Sequence, residues 1–267
     1  MAGNAFLYDG SLCIACRGCQ VACKQWNYLP GETTHFFAKE GGYQNPADLS
    51  PSTWNLIKFY EIMKNGQVKW LFQRQNCFHC TDAACIAACP VEPKAMTRHP
   101  VFQTQYVDQD RCIGCGSCQE ACPFGVPHVD QSLGKSRKCT GCFDRVANGL
   151  LPACVKTCPT KALSYGPQEE IYQAAQNRVA ALKKQNIKAE IYGLKQLDGL
   201  RSVYVLPEGL KYYDLPANPQ VPKDLGLLHE LIHATPGITL TAAVIGVAVA
   251  RFRELRQKAE AEAEAEA

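Results

Sequence analysis

An α+β fold, with two small modules built on paired cysteine sets and a C-terminal transmembrane helix, is what this sequence predicts. Three observations predict it: sixteen cysteines in four sets of four, strand and helix patterns between and after those sets, and a charge-free run near the end. A chain of 267 residues can bury one large core or two smaller ones. Its net charge of +3 gives no sign of a nucleic-acid partner.

The first set is CIACRGCQVAC, with Cys13, Cys16, Cys19 and Cys23. The second is Cys77, Cys80, Cys85 and Cys89; the third, CIGCGSCQEACP, holds Cys112, Cys115, Cys118 and Cys122; the fourth is Cys139, Cys142, Cys154 and Cys158. No cysteine is left over. A disulfide scaffold is disfavoured, because such scaffolds staple short secreted chains and MAGNAFLYDG carries no signal-peptide pattern. Zinc uses two CxxC pairs and has no need of a third cysteine two residues on. A CxxCxxC run instead folds three thiolates around one cubane, and a fourth cysteine, often followed by proline, serves the neighbouring cluster. Pro90, Pro123 and Pro159 stand in that position, with Lys24 the exception. The reading is four [4Fe–4S] clusters, held in two ferredoxin-like pairs. Sets two and three are the natural inner pair, with sets one and four outside them; pairing one with two and three with four stays open at this point.

Between sets one and two, YEIMKNGQVKWLFQ predicts a hairpin turning at Asn65-Gly66, since that dipeptide tolerates the positive φ of a type I′ turn. After set four, QEEIYQAAQNRVAALKKQ predicts a helix with Ile171, Ala175, Val179 and Leu182 on one face. SVYVL (202–206) reads as a strand and the proline-spotted 212–224 as an extended linker.

From Ala234 to Ala250 there is no charge. As a helix this run reaches about 25 Å, against ~30 Å for a hydrocarbon core, and a start at Leu225 with snorkelling Arg251 and Arg253 extends it. Ala242, Gly246 and Ala250 form a small-residue stripe suited to a partner helix. Arg251, Arg253, Arg256 and Lys258 follow the run while Lys223 alone precedes it closely, which places the C-terminus in the cytoplasm and the cysteine domain outside. HELIH (229–233) matches the zinc-protease pattern through His229, Glu230 and His233, without an accompanying third ligand. His79 reads as packing or a hydrogen bond beside a cluster rather than as a ligand. Loop N–H groups around Gly18, Gly114, Gly116 and Gly141 are candidate donors to sulfur. No nucleotide loop or nucleophile elbow is present, so no catalytic site of its own is expected.

With CIACRGCQVACKQWN, YQNPADLS, WNLIKFYE, CIGCGSCQEACPFGVP, KCTGCFDRV and PACVKTCPTKAL in view, the sequence resembles the iron–sulfur (beta) subunits of membrane-bound respiratory formate dehydrogenases of the N type. The resemblance implies two nested double-cluster modules. Cys13, Cys16 and Cys19 would share a cluster with Cys158, and Cys139, Cys142 and Cys154 one with Cys23. Cys77, Cys80 and Cys85 would share one with Cys122, and Cys112, Cys115 and Cys118 one with Cys89. Residues 1–23 and 139–165 then form the outer module and 77–138 the inner one. The hairpin insertion covers 24–76, a helix, strand and linker segment 166–224, an anchor 225–258 and a tail 259–267. The resemblance further implies a molybdopterin catalytic subunit with molybdenum or tungsten, which oxidises formate and carries the twin-arginine export signal. It also implies a cytochrome b-type membrane partner in the lipid bilayer. Equivalent subunits of other molybdopterin oxidoreductases or hydrogenases are the alternative, and a zinc hydrolase centred on HELIH a remote one.

Overall fold

The structure is a computed structural model describing residues 3–35 and 43–222. Strand β1 (Asn4–Asp9) leads into the first cysteine set, and helix α1 (Gly18–Trp26) carries Cys19 and Cys23. The hairpin of β2 (Asn55–Lys64) and β3 (Gln67–Asn76) follows. Helix α2 (Ala84–Ala87) carries Cys85; then come β4 (Met96–Arg98), β5 (Gln105–Val107) and α3 (Ser117–Ala121), which carries Cys118. A second short hairpin, β6 (His128–Asp130) and β7 (Lys135–Arg137), precedes α4 (Phe143–Ala147) and α5 (Ala153–Lys156). The last elements are β8 (Leu163–Pro167), α6 (Gln168–Lys184), β9 (Glu190–Tyr192) and β10 (Ser202–Leu206).

One four-stranded sheet, in the order β8-β1-β10-β9, organises the chain. Strand β1 lies antiparallel to β8, with Phe6 opposite Tyr165, and parallel to β10, with Tyr8 opposite Tyr204. The strand ahead of the first cysteine set is thereby bonded to the strand just past the fourth. Both central strands are buried on two faces, which explains why β10 reads as an uninterrupted apolar run. Period-2 alternation sends Ala5, Leu7, Val203 and Val205 against α6, and Phe6, Tyr8 and Tyr204 towards the cysteine side. The α6 face of Ile171, Ala175, Val179 and Leu182 is buried as its spacing predicts. Glu169 and Glu170 in its first turn and Lys183 and Lys184 in its last complement the helix dipole.

The hairpin is longer than the sequence suggested, with ten residues in each strand and pairing out to Lys64–Gln67. Asn65 (φ 52°) and Gly66 (φ 75°) form its two-residue turn. Its base is buried and its tip exposed, because Leu56, Ile57 and Leu71 enter the core while Met63 and Val68 face solvent. The tip is tied down by Glu208, whose buried carboxylate takes a 2.6 Å ion pair from Lys64 and another from Lys69. Of the 212–224 segment read as a linker, the described part packs back on the sheet: Tyr213 is buried, and Tyr192 donates to the Pro216 carbonyl.

Burial alone would push the Glu208 carboxyl up, but hydrogen bonds from Lys64 and Lys69 hold it below the ordinary carboxylate value. A depressed folded-state value contributes stability above the unfolded value, and that contribution is lost as pH falls through the folded one. Glu208→Gln should therefore lower the unfolding midpoint at neutral pH by the equivalent of about 1–2 kcal/mol. The difference from wild type should fade below about pH 4 in thermal melts.

The charge-free run, the 225–258 anchor assignment, HELIH and the tail lie outside the described residues. Among the described residues no helix is long and apolar enough to cross a membrane.

Candidate iron–sulfur centres

The four cysteine sets share one local device. The residue two positions after the first cysteine of each set is left-handed: Ala15 (φ 53°), His79 (φ 48°), Gly114 (φ 68°) and Gly141 (φ 73°). That reversal curls the chain around the cysteine. In three of the sets it brings the N–H of this residue to the first sulfur: Ala15 to Cys13 (3.5 Å), His79 to Cys77 (3.4 Å) and Gly141 to Cys139 (3.4 Å). Gly141 thus donates as its loop suggested, whereas no such bond to a cysteine sulfur is found for Gly18, Gly114 or Gly116. In the third set the donor is Ser136, whose N–H meets Cys112 Sγ at 3.3 Å from the β7 strand.

All sixteen cysteines are unpaired thiols. Cys13, Cys16, Cys19 and Cys158 line one cavity, walled by Tyr8, Ile57 and Leu163. Cys89, Cys112, Cys115 and Cys118 line another, walled by Ala95, Met96 and Val107. Each cavity takes three thiols from one set and one from a different set. Around Cys23, burial pushes the thiol up, and Cys139, Cys154 and Cys142 push it further. Burial likewise raises Cys80, with Cys77, Cys122 and Cys85 as its charged neighbours. Cys23 of the first set thus has three thiols of the fourth set around it, and Cys80 of the second set has Cys122 of the third beside it.

These groups fit a cluster better than a single ion. Among the described residues no three Cys, His, Asp or Glu side chains stand close enough to hold one metal ion. The thiols ring a volume instead, with soft donors, apolar walls and N–H groups aimed at sulfur. Burial pushes Cys19, Cys85 and Cys142 up to about 12 and Cys139 up to about 11. Such thiols keep their protons near neutral pH unless a metal cation takes the proton's place.

Two family profiles, each described as a 4Fe-4S dicluster domain, match residues 12–93 and 68–168. The nitrate-inducible formate dehydrogenase iron-sulfur subunit of Escherichia coli K12 is 38% identical over 229 residues, covering 84% of this chain and 76% of that one. The chain belongs to the formate dehydrogenase iron–sulfur subunits. The formate dehydrogenase-O iron-sulfur subunit of the same organism is 36% identical over 250 residues, covering 91% and 79%. Formate dehydrogenase 2 subunit beta (cytochrome c-553) of Nitratidesulfovibrio vulgaris is 35% identical over 216 residues, covering 79% and 96%. As in that family, the chain carries four [4Fe–4S] clusters and serves electron transfer rather than catalysis.

Around these iron–sulfur positions stand polar groups that sequence reasoning missed. Arg74 is fully buried, with Nη2 3.2 Å from Cys154 Sγ and Nε 2.6 Å from Asn55 Oδ1. Lys138 is buried with Nζ 3.6 Å from Cys77 Sγ and 3.0 Å from the Cys139 carbonyl. His79 Nδ1 lies 3.0 Å from the Gln105 backbone nitrogen and 3.1 Å from Gln105 Oε1, and its Nε2 lies 3.6 Å from Cys139 Sγ. Burial and then Lys138 hold its imidazole well below the usual histidine value, so it is neutral. Its hydrogen-bonding role follows the sequence reading. The one available signal for Lys138 was its position beside Cys139; Arg74 offered none beyond sitting in a strand that ends at Cys77.

Proposed function

We propose that this chain is the electron-transfer subunit of a respiratory formate dehydrogenase complex, with the sixteen cysteines grouped in the four rings described above. The observation that carries this reading is the cross-set exchange, Cys158 beside Cys13, Cys16 and Cys19 and Cys89 beside Cys112, Cys115 and Cys118. It is supported by the bonding of β1 to β8, which brings residues 1–23 and 139–165 together as an outer module around 77–138. The long hairpin within 24–76 braces the core, and 166–224 completes the sheet.

Bound [4Fe–4S] clusters supply one-electron redox chemistry. The chain's own work is to fix their positions, exclude water and direct donors at sulfur. Cys16 and Cys115 are exposed, in different rings, and give the path a surface-facing thiol at two places. The ring of Cys23 lies deeper, with Cys23, Cys139, Cys142 and Cys154 all buried. Among the described residues no constellation performs bond chemistry on formate. That step belongs to a partner, a molybdopterin subunit with molybdenum or tungsten, and the electrons leave to a cytochrome b-type membrane subunit. In this reading the 225–258 segment is a single-pass anchor, with the cluster domain outside the cytoplasmic membrane and the C-terminus within the cytoplasm.

The deciding experiment is iron and sulfide analysis with EPR on the anaerobically isolated complex, followed by reduction with formate. Roughly sixteen iron atoms per chain and four signals that appear on adding formate are expected. A colourless chain, or clusters that formate leaves oxidised, would end the proposal. Truncation after residue 224 tests the anchor separately. The truncated chain should keep its full iron content and pass from the membrane to the soluble fraction; retention on membranes stripped of partner subunits removes the anchor assignment.

A further inference from the structure

Arg74 and Lys138 are buried cations, and among the described residues neither has a carboxylate partner: the ion pairs present involve other residues. A buried charge without a counter-charge costs several kcal/mol, so its place in the fold needs an anion. The groups around Arg74 supply only sulfur and neutral dipoles: Cys154 Sγ, Asn55 Oδ1 and the Phe6 ring, 5.5 Å from the guanidinium carbon. Its Nη1 and Asn55 Nδ2 are buried donors without a protein acceptor. Lys138 is held by two carbonyls, of Gln105 and Cys139, and faces Cys77 Sγ.

Their positions are not equivalent with respect to the four rings. Arg74 acts on Cys154 first and on Cys19 and Cys139 as well, so it stands where the ring of Cys13, Cys16, Cys19 and Cys158 meets that of Cys23, Cys139, Cys142 and Cys154. Lys138 acts on Cys77, Cys85 and Cys139, the junction of that second ring with the ring of Cys77, Cys80, Cys85 and Cys122. Only the ring of Cys23, Cys139, Cys142 and Cys154 touches both cations. It also receives the Gly141 N–H and has His79 Nε2 3.6 Å from Cys139 Sγ. The ring of Cys89, Cys112, Cys115 and Cys118 has no buried cation. Lys94 and Lys135 reach the Cys89 and Cys112 carbonyls there, but both are partly exposed, and Met96 N–H and Ser136 supply neutral donors.

We propose that Arg74 and Lys138 are tuning residues that make the ring of Cys23, Cys139, Cys142 and Cys154 the highest-potential point on the electron path. One-electron reduction of a cluster held by this ring, with the electron drawn from a neighbouring cluster that is thereby oxidised, would move one negative charge onto the ring and no proton. A fixed cation in a low-dielectric interior favours that added charge far more than one facing water. Electrons entering from either side then settle on this ring before moving on.

The inference rests on the ring assignment proposed above, and the test separates the two. In the full complex, Arg74→Gln, Lys138→Gln and the charge-conserving Arg74→Lys are titrated potentiometrically with EPR detection. The signal of the Cys23 ring is identified by its loss in Cys154→Ser. Each glutamine variant should lower its midpoint by at least tenfold in the one-electron equilibrium, 59 mV, with Arg74→Lys recovering most of the shift. Arg74→Gln should move the Cys13 ring less, Lys138→Gln should move the Cys77 ring at least as much as the Cys23 ring, and neither should move the Cys89 ring. Unchanged midpoints, or an equal shift of all four, overturn the inference while four clusters remain. If one glutamine variant fails to assemble, the other is judged by the same criteria. Failure of Cys158→Ser to remove the Cys13-ring signal overturns the ring assignment instead.

Discussion

Replacing Cys158 with serine should remove the cluster seated by the first cysteine set, more than 130 residues earlier in the chain. Cys158 lines the same cavity as Cys13, Cys16 and Cys19, while the other members of its own set, Cys139, Cys142 and Cys154, gather around Cys23. Roughly a quarter of the iron should be lost. The missing EPR signal should be the one that Cys16→Ser also removes, and the signal sensitive to Cys142→Ser should survive. Pairing by sequence proximity demands the reverse, so a shared loss in Cys158→Ser and Cys142→Ser would refute the cross-set arrangement. Formate-linked dye reduction at the far end of the proposed path should fall with the cluster.

A second large effect is expected at Gly114, and Gly134 provides its control. Both have left-handed backbones, φ 68° and 60°, so alanine is strained at either position by about 1–2 kcal/mol. They differ in space. A Cβ on Gly114 would stand 2.3 Å from the Gly134 carbonyl oxygen, whereas one on Gly134 meets nothing within 4 Å. Gly114→Ala must therefore push the Cys112–Cys115 loop away from the β6–β7 turn. The cost is about 3 kcal/mol or more, once overpacking is added to strain. Iron analysis should show the Cys89-ring cluster lost in Gly114→Ala and retained in Gly134→Ala. Equal cluster content in the two variants would show that backbone conformation alone, and not the close approach, governs this loop.

What was legible in the sequence were features with a repeating signal. Cysteine spacing revealed the thiol sets, the 3.6-residue period revealed the buried face of α6, and Asn65-Gly66 revealed the hairpin turn. Elements of three to five residues, such as β4 to β7 and α2 to α5, are too short for a period to emerge. β1 escaped notice because NAFLYD sits against the first motif and its partner β8 lies beyond the fourth; strand pairing over that distance leaves no local trace. Arg74 and Lys138 were unreadable for a different reason. A charged residue in a sequence implies solvent or a carboxylate, and only the assembled thiol rings provide another counter-charge. The Cys89 and Cys158 exchanges were suggested by the crossover habit of such motifs, yet spacing alone left the rival pairing open.

The bonding of β1 to β8 also dictates a timetable. As the chain emerges during synthesis, β1 and the first cysteine set appear well before β8 and Cys158 are available to them. The middle sets can close on themselves once Cys122 has been made, long before the outer thiols meet. Loop closure over that length is slow, and the waiting strand edge and thiols stand open to oxygen and to other chains. In the arrangement proposed above, iron delivered early would find four thiols together only in the middle of the molecule.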